Sequence, residues 1–392
     1  MTMTKKERLI FLIKTLLKES PEYHNTSIPK GLPEQRMLLR ALMNVRAPKP
    51  IDEIFLQVMG CLDPKQIDGM GGTVSSNNKI VIVWKSEEEG IDVEYLVGQV
   101  IVGKEQVDYK SNCGNMTSAV GPFAIEEGLV PAVEPITVVR ILNTNTNKII
   151  EEHVRVKDGK AMVHGDEVIK GVPGTGSRID MYFEDPAGSK TGKLFPTGQK
   201  KEIFDVPGYG PAEVTVLDCS NPMVFIKASD LGIKGTELVE LNQNKDVMEH
   251  IERIRGMAAV KCGFVENWED ARTKSTSAPK VSIISAPQDY VDMDGNQVKG
   301  EDMDICVRAI SVGSLHKAYP MTVAVGTGAA ARIPGTIVYE TAVNDKNSDV
   351  VRLGHSSGIT EVDIKMDGEK VLKGGVTRTA RRIMDGYVYV RD

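Results

Sequence analysis

Two kinds of hydrophobic periodicity divide the chain. Over residues 1–58, Leu9, Leu12, Ile13, Leu16 and Leu17 recur at helical spacing, and Pro21, Pro29 and Pro33 then interrupt the pattern. Met37, Leu38, Leu39, Ala41 and Leu42 begin a second helical pattern, which Pro48 and Pro50 end. This predicts a helical leader with almost no strand. From Lys79 onward the text changes to short runs rich in Val and Ile: KIVIVW, VEYLVGQVIV, ITVVRIL, KIIEEHVRV, AEVTVLD and MVFIKA. Bounded by Gly, Asp or Asn, these predict strands. The helical stretches that remain are 115–128, 244–257, 300–318 and 379–385.

Two segments of small residues stand at corresponding places in the two halves, SNCGNMTSAVGPFA at 111–124 and AVGTGAAARIPG at 324–335. Each reads as a strand exit, a polar residue bracketed by glycine, and a helix of mostly small side chains. Such a helix can be approached closely on all sides, as when a curved sheet wraps it. The free amides and positive dipole end at its N-terminus suit an anion.

Composition narrows the class. At 392 residues the chain is long enough for two lobes, and 41% hydrophobic with 26% charged residues is the balance of a folded protein in water. A net charge of −6 argues against a broad basic face for nucleic acid. The five cysteines, Cys61, Cys113, Cys219, Cys262 and Cys306, are widely spaced, with no CxxC pair and no His at zinc-ligand spacing, which predicts reduced thiols in the cytoplasm and no metal. Lys14 interrupts the apolar run of KKERLIFLIKTLLKE and no small-residue cleavage site follows, so this start reads as an amphipathic helix. No run approaches membrane-spanning length.

Candidate chemistry centres on two residues. Cys113 immediately precedes the first small-residue helix, where the amides of Gly114, Asn115 and Met116 would favour a thiolate. An ordinary buried thiol is the competing reading. Lys79 closes IDGMGGTVSSNNK, so that Ser75, Ser76 and nearby amides could hold a carboxylate beside its ammonium; a solvated strand-edge lysine is the alternative. GMGG lacks the strand-turn-helix setting of a dinucleotide fingerprint, and GVPGTGS lacks the Gly-Lys-Ser/Thr ending of a P-loop. His316 and His355 each read first as satisfied structural histidines, although RLGHSSG gathers donors in a turn.

In order and in spacing, IDGMGG with Ser75, Ser76 and Lys79, SNCGN with SAVGPFAI, FPTG at 195–198, TGAAARIPGT, RLGHSSG and RTARRIMDGYVYV resemble the methylaconitate and methylitaconate isomerase family, PrpF-like. ILNTNTNKII and RVKDGKAMVHGD bring the resemblance nearest to methylitaconate isomerases. The resemblance implies an α+β, diaminopimelate-epimerase-like fold: two pseudo-symmetric lobes, each a β-barrel wrapped around a central helix, with the active site in the cleft between them. It implies a first lobe at 59–185, to which 375–392 could return, and a second at 186–374. It also implies an isomerase that moves a proton and a double bond in a small unsaturated di- or tricarboxylic acid without cofactor, with Cys113 and Lys79 as the acid-base pair. Substrate would be held by Ser75, Ser76, Gly114, Asn115, Met116, Thr327, Gly328, His355 and Ser357.

The family's opening strand, of R-G-G-T-S-K type, has no counterpart in residues 1–58. Those residues resemble instead the helical leader of bacterial macrodomain ADP-ribose hydrolases, which predicts a seam near 56–60 and weakened catalysis. Asn77, Asn78 and Ser356 also depart from the family's usual Thr, Ser and Pro. A racemase on the same fold would need a second thiol at the head of the second helix, where Gly326, Thr327 and Gly328 stand instead. A non-catalytic accessory to an aconitase-type dehydratase is the reading from a different class. Membrane and nucleic-acid partners are not expected, and self-association is left open.

Overall fold

The computed structural model describes residues 42–43 and 51–390, apart from 62, 74–76, 110–112, 170–171, 173, 312 and 344–347. The chain divides into two compact units, one running to Val163 and rejoined from Ala380, the other His164–Thr379. The divide falls at 163/164 where the sequence reading put it at 185/186, because the strand Ile179–Glu184 pairs with Lys370–Arg378 inside the second unit. Among the described residues no helix is long and apolar enough to cross a membrane.

In the first unit, Leu42–Met43 (β1) pair in parallel with Tyr387–Val388. This segment is a strand where the sequence predicted helix; the helical patterns expected at 9–17 and 37–41 lie outside the described residues. Helix α1 (Ile51–Met59) follows Pro50, with Asp52 and Glu53 in its first turn to complement the positive end. Its Ile51, Phe55 and Met59 pack with Ile82, Trp84, Leu96, Val100, Val107 and Tyr109 in one buried cluster. Residues 51–58 are therefore core of the first unit, not a leader outside it. Gly98 permits the contact: a Cβ there would lie 3.1 Å from the Phe55 ring.

The strands of this unit are β2 (Lys79–Lys85), β3 (Val93–Val100), β4 (Val107–Asp108), β5 (Ile136–Asn143), β6 (Lys148–Lys157) and β7 (Lys160–Ala161). They run in the order β2-β3-β5-β6, with β4 on β3 and β7 on β6. The helix expected at 115–128 is two short pieces, α2 (Gly114–Thr117) and α3 (Val120–Glu126). Pro122 has no N–H for the Ser118 carbonyl and its ring crowds that carbonyl, so a continuous helix cannot pass through Ser118. The Ser118 hydroxyl turns back to the Asn115 carbonyl at 2.9 Å.

Helix α3 lies against β5, β6 and β7. Glu152 of β6 is fully buried there; one carboxyl oxygen accepts the Gly121 amide at 2.9 Å, and the other has no hydrogen-bond partner among the described residues. A Cβ on Gly121 would sit 2.5 Å from that carboxyl, so glycine makes the approach possible. Burial pushes Glu152 up to about 8, and the Gly121 amide opposes this only in part.

The second unit orders β8 (Ile179–Glu184), β9 (Glu202–Val206), β10 (Gly210–Cys219), β11 (Asn221–Lys227), β12 (Lys280–Ser285), β15 (Ile305–Ser311), β17 (Val350–His355), β18 (Gly358–Asp367) and β19 (Lys370–Arg378) as β8-β19-β18-β17-β15-β12-β11-β10-β9. The small hairpin β13 (Tyr290–Val291) and β14 (Gln297–Val298) stands apart, and β16 (Ser314–Leu315) pairs with β15. Helix α4 (Lys245–Lys261) begins where the Asn244 side chain accepts the Val247 amide, and its apolar face joins Phe204, Val214, Ile226 and Ile283 in a second core cluster. Helix α5 (Met321–Ala330) is buried at all ten positions and touches β10, β11, β17, β18 and β19. A helix apolar on every side is an enclosed helix.

Two expected helices are absent. At 300–318 the chain makes a short 3-10 turn and then β15, because ICVRAIS lies between β12 and β17 with both faces buried, where β-branched residues suit a strand. At 379–385 the chain has no regular structure, and Arg382 pairs with Glu126 at 2.6 Å and Glu127 at 2.9 Å.

Two outcomes follow for stability. Phe55→Ala should lower unfolding free energy by about 3–5 kcal/mol in urea melts, a core loss that a dispensable leader would not show. Glu152 is protonated in both folded and unfolded chains below pH 4.5, so it imposes no pH dependence there. Between 4.5 and about 8 the unfolded chain ionises while the folded one stays protonated, so stability falls by up to about 1.4 kcal/mol per pH unit and then levels. Glu152→Gln should flatten that slope in melts from pH 5 to 9, and equal slopes in the two proteins would refute the assignment.

Candidate functional site

Lys79 opens β2 and is half-buried. The loop before it is closed by Asn78, whose side-chain amide donates to the Gly72 carbonyl at 2.6 Å and accepts the Gly72 amide at 3.2 Å. Asn78 is fully buried, so its side chain has a structural role in closing this loop. Helix α1 holds the same loop: the amides of Met70 and Gly71 donate to the Val58 and Met59 carbonyls. Ser75 and Ser76 lie outside the described residues.

Register relates Lys79 to β4, the strand that precedes Cys113 in the chain. Lys79 pairs with Gln99 of β3, and Gln99 pairs on its other side with Asp108 of β4. The chain leaves β4 through Tyr109, whose hydroxyl donates to Asp52 of α1 at 2.5 Å, and reaches Cys113 four residues later. Both loops are thus anchored to one helix.

Cys113 is half-buried, has extended backbone (φ −123, ψ 99) and caps α2. Its carbonyl accepts the amides of Met116 and Thr117, each at 3.0 Å, and the Thr117 hydroxyl at 3.1 Å. The amides of Gly114 and Asn115 have no acceptor among the described residues. Gly114 is buried, Asn115 exposed and Met116 half-buried. Because α2 is a single turn, the expected long-helix dipole reduces to these two local amides.

The residues expected to bind substrate from the second half lie elsewhere than their motif suggests. Thr327 and Gly328 are in the middle of α5, not at its head; the Thr327 hydroxyl donates to the Val323 carbonyl at 2.8 Å and meets the Tyr319 hydroxyl at 2.7 Å. A Cβ on Gly328 would press on Ile364, so this glycine serves packing. The head of the helix is Met321–Thr322–Val323 after Pro320, and the Thr322 hydroxyl accepts Asn221 Nδ2 at 3.3 Å. Motif reading set the head of this helix at Gly326–Gly328; the signal for the earlier start was Pro320, which a helix interior does not tolerate.

His355 and Ser357 are buried supports of the approach to that head. His355 Nε2 bonds the Thr360 hydroxyl at 2.8 Å, and its Nδ1 accepts the Ser357 amide at 3.2 Å. Its ring stacks with Tyr319, centroids 6.2 Å apart. The Ser357 hydroxyl donates to the Lys317 carbonyl at 2.7 Å. Burial, then the charges of Arg308, Arg378 and His316, push His355 down to about 3, so it is neutral throughout the physiological range.

The model of the family described as PrpF protein matches residues 32–391. The chain is 43% identical over 342 residues to the 3-methylitaconate isomerase of Eubacterium barkeri, covering 86% of this chain and 90% of that one. It is 38% identical over 353 residues to the 2-methyl-aconitate isomerase of Shewanella oneidensis, covering 86% and 88%. The crystal structure of a methylitaconate-delta-isomerase superposes with TM-score 0.78 at 42% identity, covering 86% of this chain and 88% of that chain, which establishes a mixed α/β fold of the same kind. The family match begins at residue 32, upstream of the expected seam at 56–60, and leaves the macrodomain resemblance of the leader without support. On the extent of this match and the identity to its relatives, the chain belongs to the PrpF family.

Proposed function

We propose that this protein is a cofactor-independent isomerase of small unsaturated di- or tricarboxylic acids of the methylitaconate or 2-methylaconitate kind, with Cys113 and Lys79 as its acid-base pair. The observation that carries the reading is the row Lys79, Gln99, Asp108 across β2, β3 and β4. Two strand spacings put Lys79 and the root of the Cys113 segment about 10 Å apart, the scale of one such acid and its contacts. The relatives' names supply the substrate class.

Moving a double bond along an allylic system removes one carbon-bound proton and returns one to another carbon, leaving net charge and oxidation state unchanged. One member of the pair takes the first proton, the C–H electrons move into the conjugated system, and the other member supplies the second. Charge that grows on the neighbouring carboxylate in between falls to the Gly114 and Asn115 amides. We read the two units as the two lobes of a diaminopimelate-epimerase-like fold, α5 being the enclosed helix of the second and α2 with α3 its broken counterpart in the first.

Purified protein without partner should convert methylitaconate or 2-methylaconitate, followed by the absorbance change of the conjugated acid. Cys113→Ser and Lys79→Ala should each lower kcat by about 10²–10⁴-fold with little change in melting temperature. A wild-type protein inert towards both acids would overturn the proposal in favour of an accessory role, and near-normal turnover in Cys113→Ser would remove the thiol from the mechanism.

A further inference from the structure

The turn Asn143-Thr144-Asn145-Thr146-Asn147 between β5 and β6 uses its side chains on the active-site strands. On the edge of β3 away from β2, β5 pairs with residues 93–95 and β4 with residues 99–100. Between them, among the described residues, Val97 has no strand partner on that edge, and the Asn145 side chain takes the place. Its Oδ1 accepts the Val97 amide at 2.8 Å and its Nδ2 donates to the Val97 carbonyl at 2.9 Å. A primary amide carries the same donor and acceptor as a peptide group, so one side chain extends the ladder by a rung. Nδ2 also donates to the Tyr109 carbonyl at 2.8 Å, where the chain leaves β4 for Cys113.

The same turn reaches the far end of that segment. Asn143 Nδ2 donates to the Tyr95 hydroxyl at 2.5 Å, Tyr95 is 2.7 Å from the Thr117 hydroxyl, and Thr117 donates to the Cys113 carbonyl at 3.1 Å. Tyr95, Thr117 and Asn143 are each fully buried. Asn143 Oδ1 meanwhile accepts the Asn145 amide at 2.8 Å, joining the two grips.

We infer that Asn145, with Asn143 and Tyr95, is a positioning device that fixes the Cys113 segment at both ends against β3, the strand with which Lys79 of β2 pairs in register. Accepting the acid-base role of Cys113 and Lys79 proposed above, these residues set the geometry of the pair without touching substrate. The polar repeat in ILNTNTNKII is then explained by the backbone it binds.

The test compares wild type, Asn145→Asp and Tyr95→Phe. Asn145→Asp keeps the shape of the side chain but turns a donor into an acceptor facing two carbonyls. Tyr95→Phe removes one hydroxyl from the second grip and keeps the ring, so it covers the case in which the first variant does not fold. Three readings are taken on folded protein: kcat and KM with methylitaconate, melting temperature, and the rate at which iodoacetamide alkylates Cys113, followed at that peptide by mass spectrometry. A misplacement near 1 Å is expected to lower kcat by about 100-fold, with KM changed far less, and the freed segment should be alkylated several-fold faster. Wild-type kcat and wild-type alkylation in either folded variant would overturn the inference. A drop in activity explained entirely by a smaller folded fraction, with Cys113 alkylated at the wild-type rate, would overturn it too. If Cys113→Ser stays active, the acid-base reading fails by itself, and the alkylation rates still report whether the turn holds the segment.

Discussion

A buried strand has to pair its amides and carbonyls on both edges, and in the first unit this constraint bears on β3. Its side chains are buried on both faces along most of its length, so water cannot substitute for a missing partner. One edge is filled by β2, whose first residue is Lys79. The other is shared by β5, the Asn145 side chain and β4, beyond which lies Cys113. The two candidate acid-base residues thus inherit their places from the pairing of one strand. Helix α1 adds a second tie through Asp52 to Tyr109 and through Val58 and Met59 to the loop before Lys79, so residues with the pattern of a leader support the candidate site.

The second unit solves a different problem, that of enclosing a helix. Helix α5 can be surrounded only because glycine and alanine let the strands close on it: a Cβ at Gly326 would meet Met223 sulfur at 2.6 Å, and one at Gly328 would meet Ile364. Enclosure forces every polar group on the helix to find an internal partner, and Thr327 does so through Val323, Tyr319 and, beyond Tyr319, Ser282. The first unit repeats the device with Thr117, Cys113, Tyr95 and Asn143. In each, a threonine hydroxyl bonds the carbonyl four residues back and a buried tyrosine hydroxyl caps it. What differs is the residue whose carbonyl is bound: Val323 in one and Cys113 in the other.

Much of the strand content was legible in the sequence, since KIVIVW, ITVVRIL, KIIEEHVRV and AEVTVLD each lie within an observed strand. Periodicity failed where both faces are buried. ICVRAIS has no polar side to betray its period, and the acidic residues ahead of it imitate a helix start. It failed again at Ser118, where one proline outweighs a helical composition, and at 379–385, where the contacts of Arg382 with Glu126 and Glu127 belong to residues far away in sequence.

By itself the sequence determined the β-rich class, the two small-residue segments and the residues that carry the family resemblance, Cys113 and Lys79 among them, because hydrophobic period and motif order are local properties of the text. Only the tertiary structure decided that α1 is core, that α5 starts at Met321 and hides Thr327 and Gly328, that His355 is a neutral support, and that an asparagine in a turn fills a gap in a sheet. Each of these depends on which backbone groups lack a partner once the strands have paired. That is a property of neighbours in space, and a one-dimensional pattern does not contain it.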